Sequence, residues 1–413
     1  MKSFSEFSIS ALVKSNLSKH GFKQPTEVQA QAIEPALAGR DVVATAQTGT
    51  GKTLAFVLPI IHLLGSEPAR SGVRAVILSP TRELALQIGA TFAQMAAGSQ
   101  VRAAVVIGGV GEQSQLQAIR KGAQVLIATP GRLYDFLGRR LIDLGRVRIL
   151  VLDEADRMLD MGFLPTIQKI MAAIPADRQT LFFSATIESS VAHLVETHVR
   201  NAVRVTVGST TKPAAKIDLH LYEVEPDRKL GLLQTMLREE NGSFLVFART
   251  KHGADRLSKR LSRDGVKTAA IHGDRSQSQR TQALRGFQDG YYRVLVATDI
   301  AARGIHVEGI SHVVNYDLPQ VPEDFIHRVG RTGRAGASGT ASTFATRSER
   351  ADVANIERIL ATRLVRRQLS PGGPAEVPAE PAPVIMIPSA SSRPQRHVRT
   401  FAPKRRRQFR QAV

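Results

Sequence analysis

The sequence predicts an α/β protein made of two successive doubly wound parallel sheets, followed by a disordered basic tail. Three observations carry this expectation: short apolar runs that alternate with longer amphipathic stretches, a break of small polar residues near mid-chain, and a terminal segment rich in proline and then arginine. With 413 residues, 43% of them hydrophobic, the chain holds more core than one compact domain usually buries.

In the first half the strand-like runs are Asp41-Val42-Val43-Ala44, Ala75-Val76-Ile77-Leu78, Val125-Leu126-Ile127-Ala128, Ile149-Leu150-Val151-Leu152 and Thr180-Leu181-Phe182-Phe183. Each is short and apolar on both faces, as a buried parallel strand requires, and each leads through a polar turn into an amphipathic stretch. A second series comprises Phe244-Leu245-Val246-Phe247, Ala269-Ala270-Ile271, Arg293-Val294-Leu295-Val296 and His312-Val313-Val314. Between the two series the aperiodic segment 207–217 predicts a linker, so the domains are expected at 1–206 and 218–369. Residues 370–413 have no strand or helix period. Six prolines fall between Pro371 and Pro388, and eight Lys or Arg with no acid fall between Ser391 and Val413.

Charge narrows the function. Against 36 acids stand 56 Lys plus Arg, a formal charge of +20, of which the last 23 residues supply +8. A polyanion is the expected partner, and the tail reads as a salt-sensitive phosphate binder. The chain has no cysteine, which excludes disulfide scaffolds and thiolate metal sites. No apolar run approaches the roughly 20 residues of a membrane span. The first residues carry no signal-peptide pattern, so a cytoplasmic protein is expected, without membrane association and with a monomeric core.

Ala46-Gln47-Thr48-Gly49-Thr50-Gly51-Lys52-Thr53 follows a strand-like run and opens an amphipathic segment, which is the Walker A pattern in its required context. Its glycines allow backbone N–H groups to converge on phosphate, Lys52 can reach the β- and γ-phosphates, and the Thr53 hydroxyl can ligate Mg²⁺. The matching acids follow the Ile149–Leu152 run: Asp153 to hold the metal and Glu154 to orient or deprotonate an attacking water. In the second half, His327-Arg328-Val329-Gly330-Arg331-Thr332-Gly333-Arg334 sets Arg331 and Arg334 three apart, an arrangement that suits arginine fingers reaching a γ-phosphate. With the loop in one half and the fingers in the other, the nucleotide site is complete only when the halves close.

Asp153-Glu154-Ala155-Asp156 spells the DEAD sequence, and residues 4–366 resemble DEAD-box RNA helicases, which implies tandem RecA-like domains, ATP and Mg²⁺ as cofactors and RNA as partner. Gly21-Phe22-Lys23-Gln24-Pro25-Thr26-Glu27-Val28-Gln29 is similar to the family's Q motif, placed over 2–30. The resemblance implies nucleotide contacts from Phe22, Gln24, Thr26 and Gln29 and a Phe4 ring stacked on adenine; from its position alone Phe4 could equally be an N-terminal anchor. Pro80-Thr81-Arg82-Glu83-Leu84-Ala85, Gly108-Gly109 and Thr129-Pro130-Gly131-Arg132 match motifs Ia, GG and Ib, which implies RNA contacts from Thr81, Arg82, Gly108, Gly109, Thr129, Pro130, Gly131 and Arg132. Second-half RNA contacts implied in the same way are Arg249, Thr250, Gln277, Arg280, Thr298 and Asp299. Asp156, Ser184 and Thr186 are implied to couple nucleotide state to strand separation, and His327 to join the DEAD segment across the cleft. Near Gly304, implied at the nucleotide, the family's usual Asp is replaced by His306, a poorer acceptor for a ribose hydroxyl.

The expected activity is an RNA-stimulated ATPase that unwinds short duplexes or remodels ribonucleoprotein, with an ATP-gated RNA clamp or assembly scaffold as the alternative. The tail is similar to that of the bacterial RhlE-like branch, which implies roles at ribosomal precursors or with RNA-decay machinery.

Overall fold

The computed structural model describes residues 3–46, 50–67, 71–187, 189–207, 217–302, 307, 309–333 and 338–367. Gln47, Thr48, Gly49, Gly304, His306 and Arg334, most of the expected linker and the whole of 370–413 lie outside the described residues. Among the described residues no helix is long and apolar enough to cross a membrane.

The first sheet contains β1 (Val42–Ala46), β2 (Ala75–Leu78), β3 (Ala103–Val106), β4 (Val125–Ala128), β5 (Ile149–Leu152), β6 (Gln179–Ser184) and β7 (Val203–Val207). Its order is β3-β4-β2-β5-β6-β1-β7, with every pairing parallel. The second sheet contains β8 (Ile217–Glu223), β9 (Phe244–Phe247), β10 (Thr268–Ile271), β11 (Val294–Ala297), β12 (His312–Asn315), β13 (Gly339–Ala345) and β14 (Val365–Arg367), ordered β10-β11-β9-β12-β13-β8-β14 and again parallel. β7 thus runs through Val207 and β8 begins at Ile217.

Both faces of each sheet are covered by helices, and strand alternation divides the cores accordingly. Val42, Ala44, Leu181 and Phe183 enter one apolar layer of the first domain, while Val43 and Phe182 enter the other. In the second domain Leu245 and Phe247 join one layer, and Phe244 and Val246 join the opposite one. Full burial of β2, β4, β5, β9 and β11 explains their unbroken apolar sequences. Parallel pairing places all strand C-termini of a sheet on one side. There the polar turns emerge and ligands of open α/β sheets bind.

Candidate active site

The loop after β1 ends at Gly51, whose φ of +87° leads into the helix Lys52–Ser66. A Cβ at this position would lie 2.5 Å from the Gln29 side-chain nitrogen, so only glycine fits. Gln29 is buried and ties the Q motif to the loop: its Nε2 donates to the Gly51 carbonyl oxygen at 2.8 Å, and its Oε1 accepts from the Thr26 amide at 2.9 Å. Phe22, Gln24 and Thr26 lie at the surface. Phe4 is only 4% exposed and packs against Phe7 at 6.1 Å between ring centroids, in the anchoring position that its place in the sequence allowed.

Lys52 is buried, and its Nζ donates to the Ala46 carbonyl oxygen at 3.0 Å, spanning the phosphate-loop turn. Its charge also acts on Asp153, 2% exposed at the end of β5. Burial pushes the Asp153 carboxyl up to about 7, with the Lys52 ammonium opposing the rise and the Glu154 carboxylate adding to it. Glu154 occupies the left-handed region at φ +50°, an uncommon conformation for a residue with a side chain and one found at functional turns. Its Oε2 accepts from Arg157 Nη1 at 3.1 Å, both side chains being buried. The Thr53 hydroxyl in the first helical turn and the Asp153 carboxylate are hard oxygen donors, a set that fits Mg²⁺.

Asp156, the last acid of the segment, faces the end of β6. Its Oδ2 accepts from the amides of Ala185 (3.0 Å) and Thr186 (3.1 Å), its own amide donates to Ser184 Oγ (3.3 Å), and Ser184 Oγ donates to the Thr186 carbonyl oxygen (2.7 Å). The three residues expected to couple the motifs are therefore one hydrogen-bonded unit, possible because β5 and β6 are neighbours.

Among the described residues, two contacts at this side of the sheets join the domains. Half-buried His327, in the helix Pro322–Val329, has its Nδ1 3.5 Å from Arg157 Nη2. Arginine has only donors, so Nδ1 acts as the acceptor of a neutral ring. Burial and then the Arg157 charge lower the His327 pKa to about 4. Arg331 is 3% exposed, its Nε donating to the His327 carbonyl oxygen at 3.2 Å. The second contact is buried: Glu83 Oε1 accepts from Arg280 Nε (2.8 Å) and Gln277 Nε2 (3.2 Å), and Arg280 Nη2 lies 2.7 Å from Oε2.

The remaining expected RNA residues also follow strand ends. Thr81 and Thr250 cap helices, their hydroxyls accepting from Leu84 N (3.3 Å) and Gly253 N (3.0 Å), whereas Thr129 caps the helix beginning at Pro130 without such a bond. The Arg82 guanidinium lies against Gly108 and Gly109, where an added side chain would collide with it, and its pKa is lowered first by burial and then by Arg280. Gly131 is exposed, and Arg132 sits 3.6 Å from both Glu112 and Asp135. Exposed Arg249 pairs with Glu349 at 3.2 Å. Thr298 follows β11, and both oxygens of Asp299 accept from Arg328 at 2.5 and 2.7 Å.

Glu83, Arg157 and Arg328 were not singled out as site residues in the sequence. Arg157 had a signal in its three-residue spacing from Glu154; Glu83 and Arg328 lie inside the runs 80–85 and 327–334, but their pairings had none, since the partners lie 197 and 29 residues away.

Residues 26–194 match the family model described as DEAD/DEAH box helicase, and 228–336 match that of the helicase conserved C-terminal domain. Among solved structures, Saccharomyces cerevisiae Dbp5 bound to RNA and ADP-BeF3 is 30% identical with a TM-score of 0.78, covering 89% of this chain and 96% of that one. The chain belongs to the DEAD-box family. Curated relatives include the ATP-dependent RNA helicase CshA of Listeria monocytogenes, 39% identical over 80% of this chain and 63% of the relative. Another is the ATP-dependent RNA helicase DBP2 of Lodderomyces elongisporus, 43% identical over 79% of this chain and 61% of that one. The chain thus spans about three-fifths of the length of these curated relatives.

Proposed function

We propose that this DEAD-box protein is an RNA-stimulated ATPase that locally unwinds short RNA duplexes or remodels ribonucleoprotein without reading sequence. The observation that carries the reading is the division of one sheet side into two tracts. The phosphate loop, Asp153-Glu154 and Ser184 sit at the adjacent strands β1, β5 and β6, while Thr81, Gly109 and Thr129 sit at β2, β3 and β4, with the second domain meeting both. The names of CshA and DBP2 and the RNA and nucleotide analogue bound by Dbp5 support it.

Within this reading Lys52 and the loop amides hold the terminal phosphates, and Gln29 braces the loop at Gly51. Glu154 takes the proton of the attacking water, held towards the cleft by Arg157, while Arg331, with Arg334, neutralises charge on the transferring group. Thr53 and Asp153 would hold Mg²⁺, which would supply charge neutralisation at the phosphates. Because RNA and ATP both favour the closed domains, each strengthens the other's binding. The RhlE-like form of the tail supports a bacterial, cytoplasmic role at ribosomal precursors or in RNA decay.

Glu154→Gln tests the assignment. Steady-state ATP turnover with saturating RNA should fall by about 10²- to 10⁴-fold, while RNA binding in the presence of ATP persists. Undiminished turnover would remove Glu154 from the chemistry.

A further inference from the structure

Beside the interdomain contact of Glu83 and Arg280 lies an open cleft of about 890 Å³, lined from the first domain by Leu86, Gly109 and Val110 and from the second by Gln277, Tyr291 and Tyr292. Its chemistry differs from the backbone tract beside it. Tyr291 is 60% exposed, the largest exposure of any big apolar side chain among the described residues. Its ring stands edge-on to Tyr292 at 4.9 Å, and the Lys267 ammonium lies 5.2 Å from its centroid. Tyr292 packs against Gly286, where a Cβ would meet its ring at 2.5 Å. Arg285 lines the same cleft. Gln277, buried and held through its Nε2 by Glu83, forms part of the same wall.

We infer that Tyr291 is a stacking platform for one nucleobase of the bound RNA strand, with Lys267 and Arg285 facing its phosphates. An exposed aromatic ring flanked by cations is the arrangement that takes a single-stranded base regardless of its identity. Gly109 and Gln277, expected RNA contacts from opposite domains, border the cleft, so the base would enter only when both domains face the same strand. The inference rests on the RNA-binding reading and adds a contact to the base where the other expected contacts are to the backbone.

The test uses the full chain with ATP and Mg²⁺, measuring ATP turnover against a uridine oligonucleotide and against one of equal length and charge with abasic positions. For the unaltered protein the abasic strand should need a higher concentration for half-stimulation. Tyr291→Ala should raise the half-stimulating concentration of the natural strand roughly tenfold, leave turnover at saturation unchanged and abolish the difference between the two strands, while Tyr291→Phe should behave as the unaltered protein. Equal response of the unaltered protein to both strands overturns stacking whatever the variants do. Absence of RNA-stimulated turnover in the unaltered protein overturns the activity reading, and this inference with it.

Discussion

His327 is held neutral well into the acid range by burial and by a charge of the other domain. Its pKa falls from the usual 6.5 to about 4, first because the ring is out of water and then because Arg157 faces it. The groups around it are Arg157 and Arg331, which disfavour the proton, and Asp156 and Asp324, which favour it. The closed arrangement therefore binds fewer protons than the open one. The contribution of the neutral ring is complete above about 6.5 and is lost as the pH falls towards 4. Energy transfer between dyes on the two domains should report opening across that window, and His327→Gln should flatten the response. An identical acid response in both proteins would assign the opening to other groups. Glu154 shows the same dependence on surroundings: its left-handed backbone persists because the Asp153 carboxylate accepts its amide at 3.1 Å and Arg157 holds its carboxylate.

At the scale of elements, the fully buried strands were legible because burial on both faces forces a continuous apolar run. The strands missed have different surroundings. β3 and β7 are edges with mixed exposure, β14 is a three-residue edge, and β8 beside it alternates buried with half-buried residues. β13 reads as polar because its Ser342 and Thr343 are buried, Thr343 Oγ1 accepting from the Asn315 side chain at 3.1 Å. The helices Arg82–Met95 and Gln277–Gln288 carry the other cross-domain lock, Glu83 with Arg280 and Gln277. Removing one member leaves a charge buried without its partner. Glu83→Ala and Arg280→Ala should each reduce the strengthening of RNA binding by ATP by about tenfold, and the exchange Glu83→Arg with Arg280→Glu should recover part of it. RNA affinities measured with and without ATP check this, and unchanged coupling in both single variants would make the pair a bystander to closure.

For the whole molecule the charge of +20 divides between a body and its last 23 residues, which hold +8. Phosphate contacts from a cationic segment select no sequence and weaken as salt rises, which makes the role of these residues testable. Deleting 391–413 should lower RNA affinity and flatten its dependence on salt, with maximal ATP turnover largely retained. An unaltered salt slope in a binding titration would show that this segment does not touch RNA.

The sequence by itself determined the two α/β sheets, the phosphate loop, its acidic partners and the excess of positive charge, because each depends on short-range pattern or composition: buried strands, a glycine turn with its lysine, an acid at a strand end, a count of Lys and Arg. Only the tertiary structure decided how Glu83 meets Arg280, why His327 is neutral, that Phe4 is packed away and that Tyr291 stands in a cleft between domains. Those features join residues far apart in the chain. Their protonation, burial and partners are set by which surfaces the two domains bring together, and no local spacing encodes that.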